Sequence, residues 1–206
     1  MLDAAFFRRW MTGAAALISR EADRLTLLDS PIGDADHGTN LHRGFSAVAT
    51  ALEREETPTP SAVLTLCGRQ LISTVGGASG PLYGTLLRRA GKALGEAPEV
   101  SREELAAALG AGVQAVATLG GAAPGDKTMI DALAPAAEAL ATSFEAAREA
   151  AEQGAVDTTP LQARKGRASY VGERSIGHQD PGATSSALLF AALAETAAGR
   201  EGGSDE

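Results

Sequence analysis

The 206-residue chain contains a single cysteine, Cys67, and aromatic residues make up only 4% of it. One cysteine excludes an intrachain disulfide framework and a site built from several thiolate ligands, which fits a reducing compartment. A core with so few rings must be built mostly from Ala, Leu and Val, and this favours closely packed helices over a β-sandwich. No window reaches the ~18 apolar residues of a membrane span. These absences predict an all-α protein of the cytoplasm.

Basic residues are also scarce, with 18 Lys and Arg against 26 Asp and Glu, which gives a formal net charge of −8. Nucleic acids and anionic membranes are bound through a basic surface field, and an acidic chain does not supply one. The charge balance therefore predicts no nucleic-acid partner and no membrane partner. A small molecule or another protein is the expected ligand.

Helical spacing of apolar residues recurs along most of the chain. Phe6, Trp10 and Ala14 fall at steps of four on one face of a first helix, and similar patterns follow. Ser101 begins the capping box SREE of a fifth helix, and Asp180 with Pro181 is typical of the start of an eighth. A sixth helix is expected to begin after residue 126, and a seventh to span much of 145–163. No strand alternation is evident.

This pattern predicts an antiparallel up-and-down barrel or bundle of about eight helices. We expect a single domain over residues 1–198 and a flexible C-terminal tail over residues 199–206. In such an arrangement the loops after helices one, three, five and seven lie at the same end. Those loops contain DSPIGDADHGTN, GGASG, GGAAPGDKT and RKGRASYVGERSIGHQDPGAT. Four glycine-rich loops at one end predict a single site there.

The first loop places Asp29, Asp34 and Asp36 within eight positions, separated by a turn that can fold them onto a common point. Carboxylates are hard oxygen ligands of the kind that Mg²⁺ prefers. An EF-hand is excluded, because Phe45 stands where that calcium loop needs its bidentate glutamate. The alternative is that these residues only cap turns and helices. We favour the metal site.

A polyphosphate would complete such a metal site. Three carboxylates with two Mg²⁺ leave a net charge near +1, which suits a bound ligand of roughly −3 to −4. GGASG before a helix offers backbone N–H groups to phosphate, although a tight turn would look the same. The fourth loop, RKGRASYVGERSIGHQDPGAT, contains four basic residues, Arg164, Lys165, Arg167 and Arg174. They indicate anion recognition or, alternatively, a solvated basic face. Neither the P-loop motif GxxxxGK[ST] nor the dinucleotide-binding motif GxGxxG occurs, so a nucleotide would be held by another kind of scaffold.

The segments LDSPIGDADHGTNLHRGF, GGASGPLYGT, PGDKTMIDALAPA and QARKGRASYVGERSIGHQDPGATS together resemble the nucleotide-binding (DhaL) subunits of bacterial dihydroxyacetone kinases of the phosphotransferase-system-dependent type. The likeness covers nearly the whole chain in the right order. It implies an antiparallel eight-helix barrel in which Asp29, Asp34 and Asp36 coordinate two Mg²⁺ that bridge the phosphates of ADP or ATP. The residues that it implies around the nucleotide are His37, Gly38, Thr39, Asn40, Ala78, Ser79, Gly120, Met129, Arg167, Asp180, Pro181 and Gly182. It assigns no catalytic residue, and His37 and Arg167 are candidates for stabilising phosphate.

The resemblance also implies a reaction and its partners. In that family the γ-phosphoryl group passes to dihydroxyacetone held by a separate subunit, and a phosphoryl carrier of the phosphotransferase system rephosphorylates ADP in place. Because no substrate domain is recognised in 206 residues, we expect this subunit type. The alternatives are an ATP-exchanging subunit of a kinase for another ketose, the ATP-binding domain of a fatty-acid kinase, and a nucleotide-loaded regulatory module that binds a transcription factor.

Overall fold

A computed structural model describes residues 1–201. Its eight α-helices are α1 (Ala4–Asp29), α2 (His37–Arg54), α3 (Pro60–Thr74), α4 (Ser79–Leu94), α5 (Arg102–Gly120), α6 (Ile130–Ala139), α7 (Phe144–Asp157) and α8 (Pro181–Glu201). A 3₁₀ segment, Arg167–Ser175, lies between α7 and α8. Two short strands, β1 (Leu2–Asp3) and β2 (Glu99–Val100), pair in antiparallel fashion. Two residues are too few to show an alternating pattern, which is why the sequence does not predict these strands.

The helices form a closed ring. Each α-helix packs against the next one along the chain, and α8 packs back against α1. Short connections make neighbours in the ring antiparallel. The predicted all-α, up-and-down barrel of about eight helices is therefore confirmed.

Ring closure between α1 and α8 involves the only tryptophan. Trp10 is fully buried, and its Nε1 donates to the Leu189 carbonyl at 2.9 Å. The Phe6 and Phe144 rings, 6.0 Å apart between centroids, join α1 to the start of α7. Elsewhere small residues let the helices approach closely. A Cβ at Gly68 or Gly84 would lie within 2.8 Å of the other residue's carbonyl oxygen, so α3 and α4 meet backbone to backbone.

The two ends of the barrel differ. The site end carries the connections after α1, α3, α5 and α7, as the sequence predicts. The base end carries the connections 55–59, 95–101 and 140–143, together with the β1–β2 pair. The connection at the site end between α7 and α8, residues 158–180, is the longest in the described chain.

Helix boundaries follow the predicted caps at α5 and α8 and differ at α6. The capping box of Ser101 is formed, and the Asp180 carboxylate accepts the Ala183 N–H at 2.7 Å. Helix α6 starts three residues later than predicted, because Lys127 has a left-handed backbone with φ of 61°. The Asp126 carboxylate instead accepts the N–H of Ala123, within the loop. Helix α7, Phe144–Asp157, covers much of the predicted range 145–163.

Within residues 1–201, no helix combines the length and the apolar character needed to cross a bilayer. The division into a domain over 1–198 and a tail over 199–206 stays a prediction. Helix α8 extends to Glu201, and residues 202–206 lie outside the described residues.

Candidate functional site

A cavity of about 940 Å³ opens at the site end of the barrel. All four predicted loops contribute to its wall, together with the first turns of α2, α4 and α8. The structure confirms that these loops converge, as the order of the helices alone predicts. The site is therefore built from the ends of helices whose bodies are fixed by the closed ring.

The carboxylate loop begins at Asp29, the last residue of α1, which is only 7% exposed. Its Oδ2 accepts the backbone N–H groups of Asp36, at 3.0 Å, and His37, at 3.3 Å. These bonds fold the loop back on itself. As a result, one carboxylate oxygen each of Asp29, Asp34 and Asp36 lie within 4.8 Å of one another.

Two glycines leave the space that this loop needs. A Cβ at Gly33 would lie 1.9 Å from Oδ1 of Asp29, so any side chain there would displace that carboxylate. A Cβ at Gly38 would lie 1.9 Å from the carbonyl oxygen of Ala22, where α2 crosses α1. Gly38 thus fixes the approach of the two helices, and Gly33 fixes the position of a carboxylate.

His37, in the first turn of α2, belongs to a buried polar network. Its Nε2 lies 2.9 Å from Oγ of Ser185, and its Nδ1 lies 3.3 Å from Oγ of Ser79. The Tyr83 hydroxyl lies 2.6 Å from Ser185 and 2.9 Å from Ser186. Burial lowers the pKa of His37 to about 4, although the Asp29 carboxylate opposes this, and burial raises the pKa of Tyr83 to about 12. Both groups are neutral near pH 7.

The α7–α8 connection, called the late loop below, brings basic side chains to the cavity. Arg164, Lys165 and Arg167 line the cavity, whereas Arg174 does not. Arg167 is ion-paired with Asp34, with 3.1 Å between Nη2 and Oδ2 and both side chains well exposed. Such an exposed pair contributes little to stability, so these charges are free to serve a ligand.

A buried lysine and a buried aspartate organise the floor of the cavity. Lys127 is 1% exposed, and its Nζ donates to four backbone carbonyls of the α7–α8 connection, those of Thr158, Thr159, Leu161 and His178. Burial lowers the pKa of Lys127. Burial raises the pKa of Asp180 to about 7, even though that carboxylate caps α8. Through its four hydrogen bonds, Lys127 ties the α7–α8 connection to the residues just before α6.

The structure brings most of the predicted site residues to one place. Those that line the cavity are Asp29, Asp34, Asp36, His37, Asn40, Ala78, Ser79, Gly120, Met129, Arg167, Asp180, Pro181 and Gly182. Two do not line it. Gly38 is buried against α1, and Thr39 is exposed on the outer side of α2.

Three residues of the site were not predicted from the sequence. Tyr83, Lys127 and Ser185 are all buried, and each makes hydrogen bonds that join separate loops or helices. Tyr83 lies inside GGASGPLYGT and Lys127 inside PGDKT, so both are in motifs that were singled out. Their partners lie 31 to 103 positions away, and no local pattern indicates those contacts.

Comparison with known proteins agrees with this geometry. The model of the DAK2 domain family matches residues 31–195. The chain is 46% identical over 195 residues to the ADP-binding subunit DhaL of the PEP-dependent dihydroxyacetone kinase of Escherichia coli, covering 90% of this chain and 93% of that protein. It is 41% identical to the DhaL subunit of the PTS-dependent kinase of Lactococcus lactis, covering 92% of this chain and 95% of the relative.

Solved structures show the same fold. The dihydroxyacetone kinase of Citrobacter freundii, in complex with AMP-PNP and Mg²⁺, superposes on 95% of this chain with a TM-score of 0.78 and 30% identity. The matched region is 35% of that longer chain. The resemblance to DhaL subunits predicted from the four loop motifs is thus confirmed, and the chain belongs to the DAK2 domain family.

Proposed function

We propose that this chain is the ADP-binding subunit of a dihydroxyacetone kinase. In this proposal, two Mg²⁺ and the loops of the site end hold the nucleotide, and its γ-phosphoryl group is transferred to dihydroxyacetone on a partner subunit. A phosphoryl carrier of the phosphotransferase system then rephosphorylates ADP in place. The observation that carries the proposal is the meeting of three carboxylates within 4.8 Å in a cavity that also has a basic wall.

The donor set fits Mg²⁺. Two oxygens bound to one octahedral Mg²⁺ at ~2.1 Å are about 3 to 4 Å apart. One carboxylate oxygen each of Asp29, Asp34 and Asp36 lie within 4.8 Å of one another, which is close enough for shared Mg²⁺ ligation, and the charge of a polyphosphate favours a pair of ions. When bound, the metal would neutralise charge on the phosphates during transfer. Asp29 is buried and already oriented by two backbone N–H groups, so the chain supplies one preorganised ligand and two exposed ones.

We assign phosphate recognition to the start of α4 and to the basic side chains of the late loop. Ala78 and Ser79 stand at the start of α4, where backbone N–H groups and the helix dipole favour an anion. Arg164, Lys165 and Arg167 supply positive charge from the late loop. The chain's own contribution is therefore to position the phosphates between a metal-binding wall and a basic wall.

An apolar part of the cavity suits the nucleoside. Met129 is nearly buried, and an added Cβ at Gly182 would lie 3.6 Å from the Met129 Cβ. Gly120 lies beside Leu82, since an added Cβ there would lie 3.8 Å from its Cδ2. These four residues all line the cavity. A purine base could be held here by apolar contact.

A second candidate is an ATP-exchanging kinase for another ketose. The chain is 36% identical to the L-erythrulose 1-kinase and 37% identical to the D-erythrulose kinase of Mycolicibacterium smegmatis, of which it covers 31% and 33%. The acceptor in our proposal lies on a partner, so the described cavity does not discriminate between ketoses. The higher identity to DhaL subunits supports dihydroxyacetone as the acceptor and a phosphoryl carrier as the donor.

A cytoplasmic location also stays a prediction.

Native mass spectrometry of the purified chain tests the proposal. We expect retained ADP with two Mg²⁺, conversion to ATP by a phosphoryl carrier charged with phosphoenolpyruvate, and no exchange with free ATP. Asp34→Ala should abolish retention. Asp23→Ala, an exposed aspartate on α1 outside the cavity, is the matched control. Tight Mg·ADP binding by Asp34→Ala would refute the metal assignment, and exchange with free ATP would favour the second candidate.

A further inference from the structure

A guanidinium group bridges α2 and the end of α3. Arg43, on α2, donates from Nη2 to Oδ1 of Asn40 at 2.8 Å and from Nε to the carbonyl oxygen of Thr74 at 2.9 Å. Thr74 is the last residue of α3. A Cβ at Gly76, the first residue of the GGASG loop, would lie 3.0 Å from Oδ1 of Asn40 and 3.2 Å from Nη2 of Arg43. The GGASG loop therefore lies directly against this pair of side chains.

Asn40 has one side-chain group that stays unpaired. The residue is 9% exposed and lines the cavity. Its Oδ1 accepts from Arg43, whereas its Nδ2 has no hydrogen-bond partner within residues 1–201. Nδ2 is also not sealed from solvent, because the one enclosed and unpaired side-chain atom in that part of the chain is Nε of Arg102. A largely buried donor without a protein partner, at the wall of a cavity, indicates a ligand that accepts hydrogen bonds.

The chemistry of the guanidinium group decides the direction of this amide. A guanidinium carries only donors, so it can bond the oxygen of an amide and not its nitrogen. Turning the Asn40 amide by half a turn would set Nδ2 against Nη2 of Arg43, donor against donor. Arg43 is itself held by its second bond, to the Thr74 carbonyl, so it cannot follow the amide without losing that bond. The contact thus commits Oδ1 to Arg43 and leaves Nδ2 for a ligand.

We propose that Arg43 is a positioning residue that holds Oδ1 of Asn40 and thereby directs Nδ2 into the cavity as a donor to an anion. An amide nitrogen can donate to phosphate oxygens and cannot bind a cation, so Asn40 belongs to the phosphate-binding groups and not to the ligands of Mg²⁺. That the anion is a nucleotide phosphate rests on the proposed function, which places phosphate at the GGASG loop. The orientation of the amide by Arg43 does not rest on it.

Asn40 is the only asparagine in the chain, so nitrogen-15 labelling of asparagine gives a single side-chain amide in the NMR spectrum. Without ligand, we expect the relaxation of Nδ2 to be that of a rigid group, and to show fast motion in Arg43→Met, which keeps a side chain of similar length without a donor. Arg54→Met, the same change in an exposed arginine at the base end of α2, is the matched control and should leave the amide rigid. On saturation with Mg²⁺ and ADP, one amide hydrogen should shift downfield, as expected for a bond to phosphate. An amide as rigid in Arg43→Met as in the unchanged chain, or one whose hydrogens do not respond to bound ADP, overturns the proposal.

Calorimetric titration with Mg²⁺ and ADP, at about 0.15 M salt where exposed charges are largely screened, tests whether Arg43 acts through Asn40. Asn40→Ala removes a hydrogen bond to a charged acceptor and should weaken ADP binding about 10- to 100-fold. Arg43→Met should weaken it about two- to fivefold, since an amide that turns freely is no longer preorganised. The double variant should bind no more weakly than Asn40→Ala alone, and factors that multiply would show that Arg43 acts independently of the amide. If the unchanged chain binds no ADP, the proposed function fails together with the phosphate contact, while the relaxation of Nδ2 still decides whether Arg43 orients Asn40.

Discussion

Replacing Gly33 with alanine should displace the carboxylate of Asp29, the proposed metal ligand, without changing that residue itself. The new Cβ would lie 1.9 Å from Oδ1 of Asp29, against at least 3.4 Å for ordinary contact, so the carboxylate must move by about 1.5 Å. That movement breaks its hydrogen bonds from the N–H groups of Asp36 and His37. Metal ligands tolerate displacements of only about 0.2 Å, and we therefore expect Mg²⁺ affinity to fall by about 10- to 100-fold.

The same geometry limits the loss of stability. The severe clashes are with the carboxylate end of the Asp29 side chain and not with its backbone, so we expect the free energy of unfolding to fall by only about 1–2 kcal/mol, from the broken bonds to a charged acceptor. Calorimetry with Mg²⁺ and ADP, together with urea unfolding, separates the two effects. Gly110→Ala is the matched control, because an added Cβ there has no atom within 4 Å. If Gly33→Ala binds Mg·ADP as tightly as the unchanged chain, Asp29 is not held for a metal in the way argued.

Three further predictions concern the supports of the site. Gly38→Ala sets a Cβ against the Ala22 carbonyl and should destabilise the fold by about 1–3 kcal/mol in urea unfolding, a larger loss than in Gly33→Ala; equal stability of the two would contradict it. Lys127→Met leaves four buried carbonyls without their shared donor, and we expect a loss of about 3 kcal/mol and faster proteolysis of the 158–180 connection; unchanged cleavage would argue against a clamp. Asp180 has a folded-state pKa of about 7, above its unfolded value, so its ionisation opposes folding, and stability should fall by about 2.5 kcal/mol from pH 5 to pH 8. Asp180→Asn should lack that fall, and an identical pH dependence would show that the carboxyl is not the cause.

Much of the fold follows from local rules that act within a few residues. Ala, Leu and Val at helical spacing predict the helices, and the Ser101 box and the Asp180–Pro181 pair mark two of their starts. The order of antiparallel helices then places four loops at one end without knowledge of a single tertiary contact. For the same reason the carboxylate triad could be predicted, since its three members share one short loop.

What could not be predicted depends on distant partners or on special backbone conformation. The start of α6 is set by the left-handed backbone at Lys127, a conformation that lysine rarely adopts. The bond between His37 and Ser185 spans 148 positions, and neither neighbourhood indicates it. Thr39 shows the limit of transferring residues by motif, since His37 and Asn40 on either side of it line the cavity while Thr39 lies on the outer side of α2.

The separation of the two barrel ends has a practical consequence. Both the start of α1 and the described end of α8 lie at the base, and so do the connections 55–59, 95–101 and 140–143, none of which contributes to the cavity. Surface immobilisation, a fluorescent label or an engineered tether can therefore be attached at the base while the cavity stays open to solution. One end of the barrel can thus be attached to a surface while the other stays accessible to the nucleotide and the partner subunit that we propose.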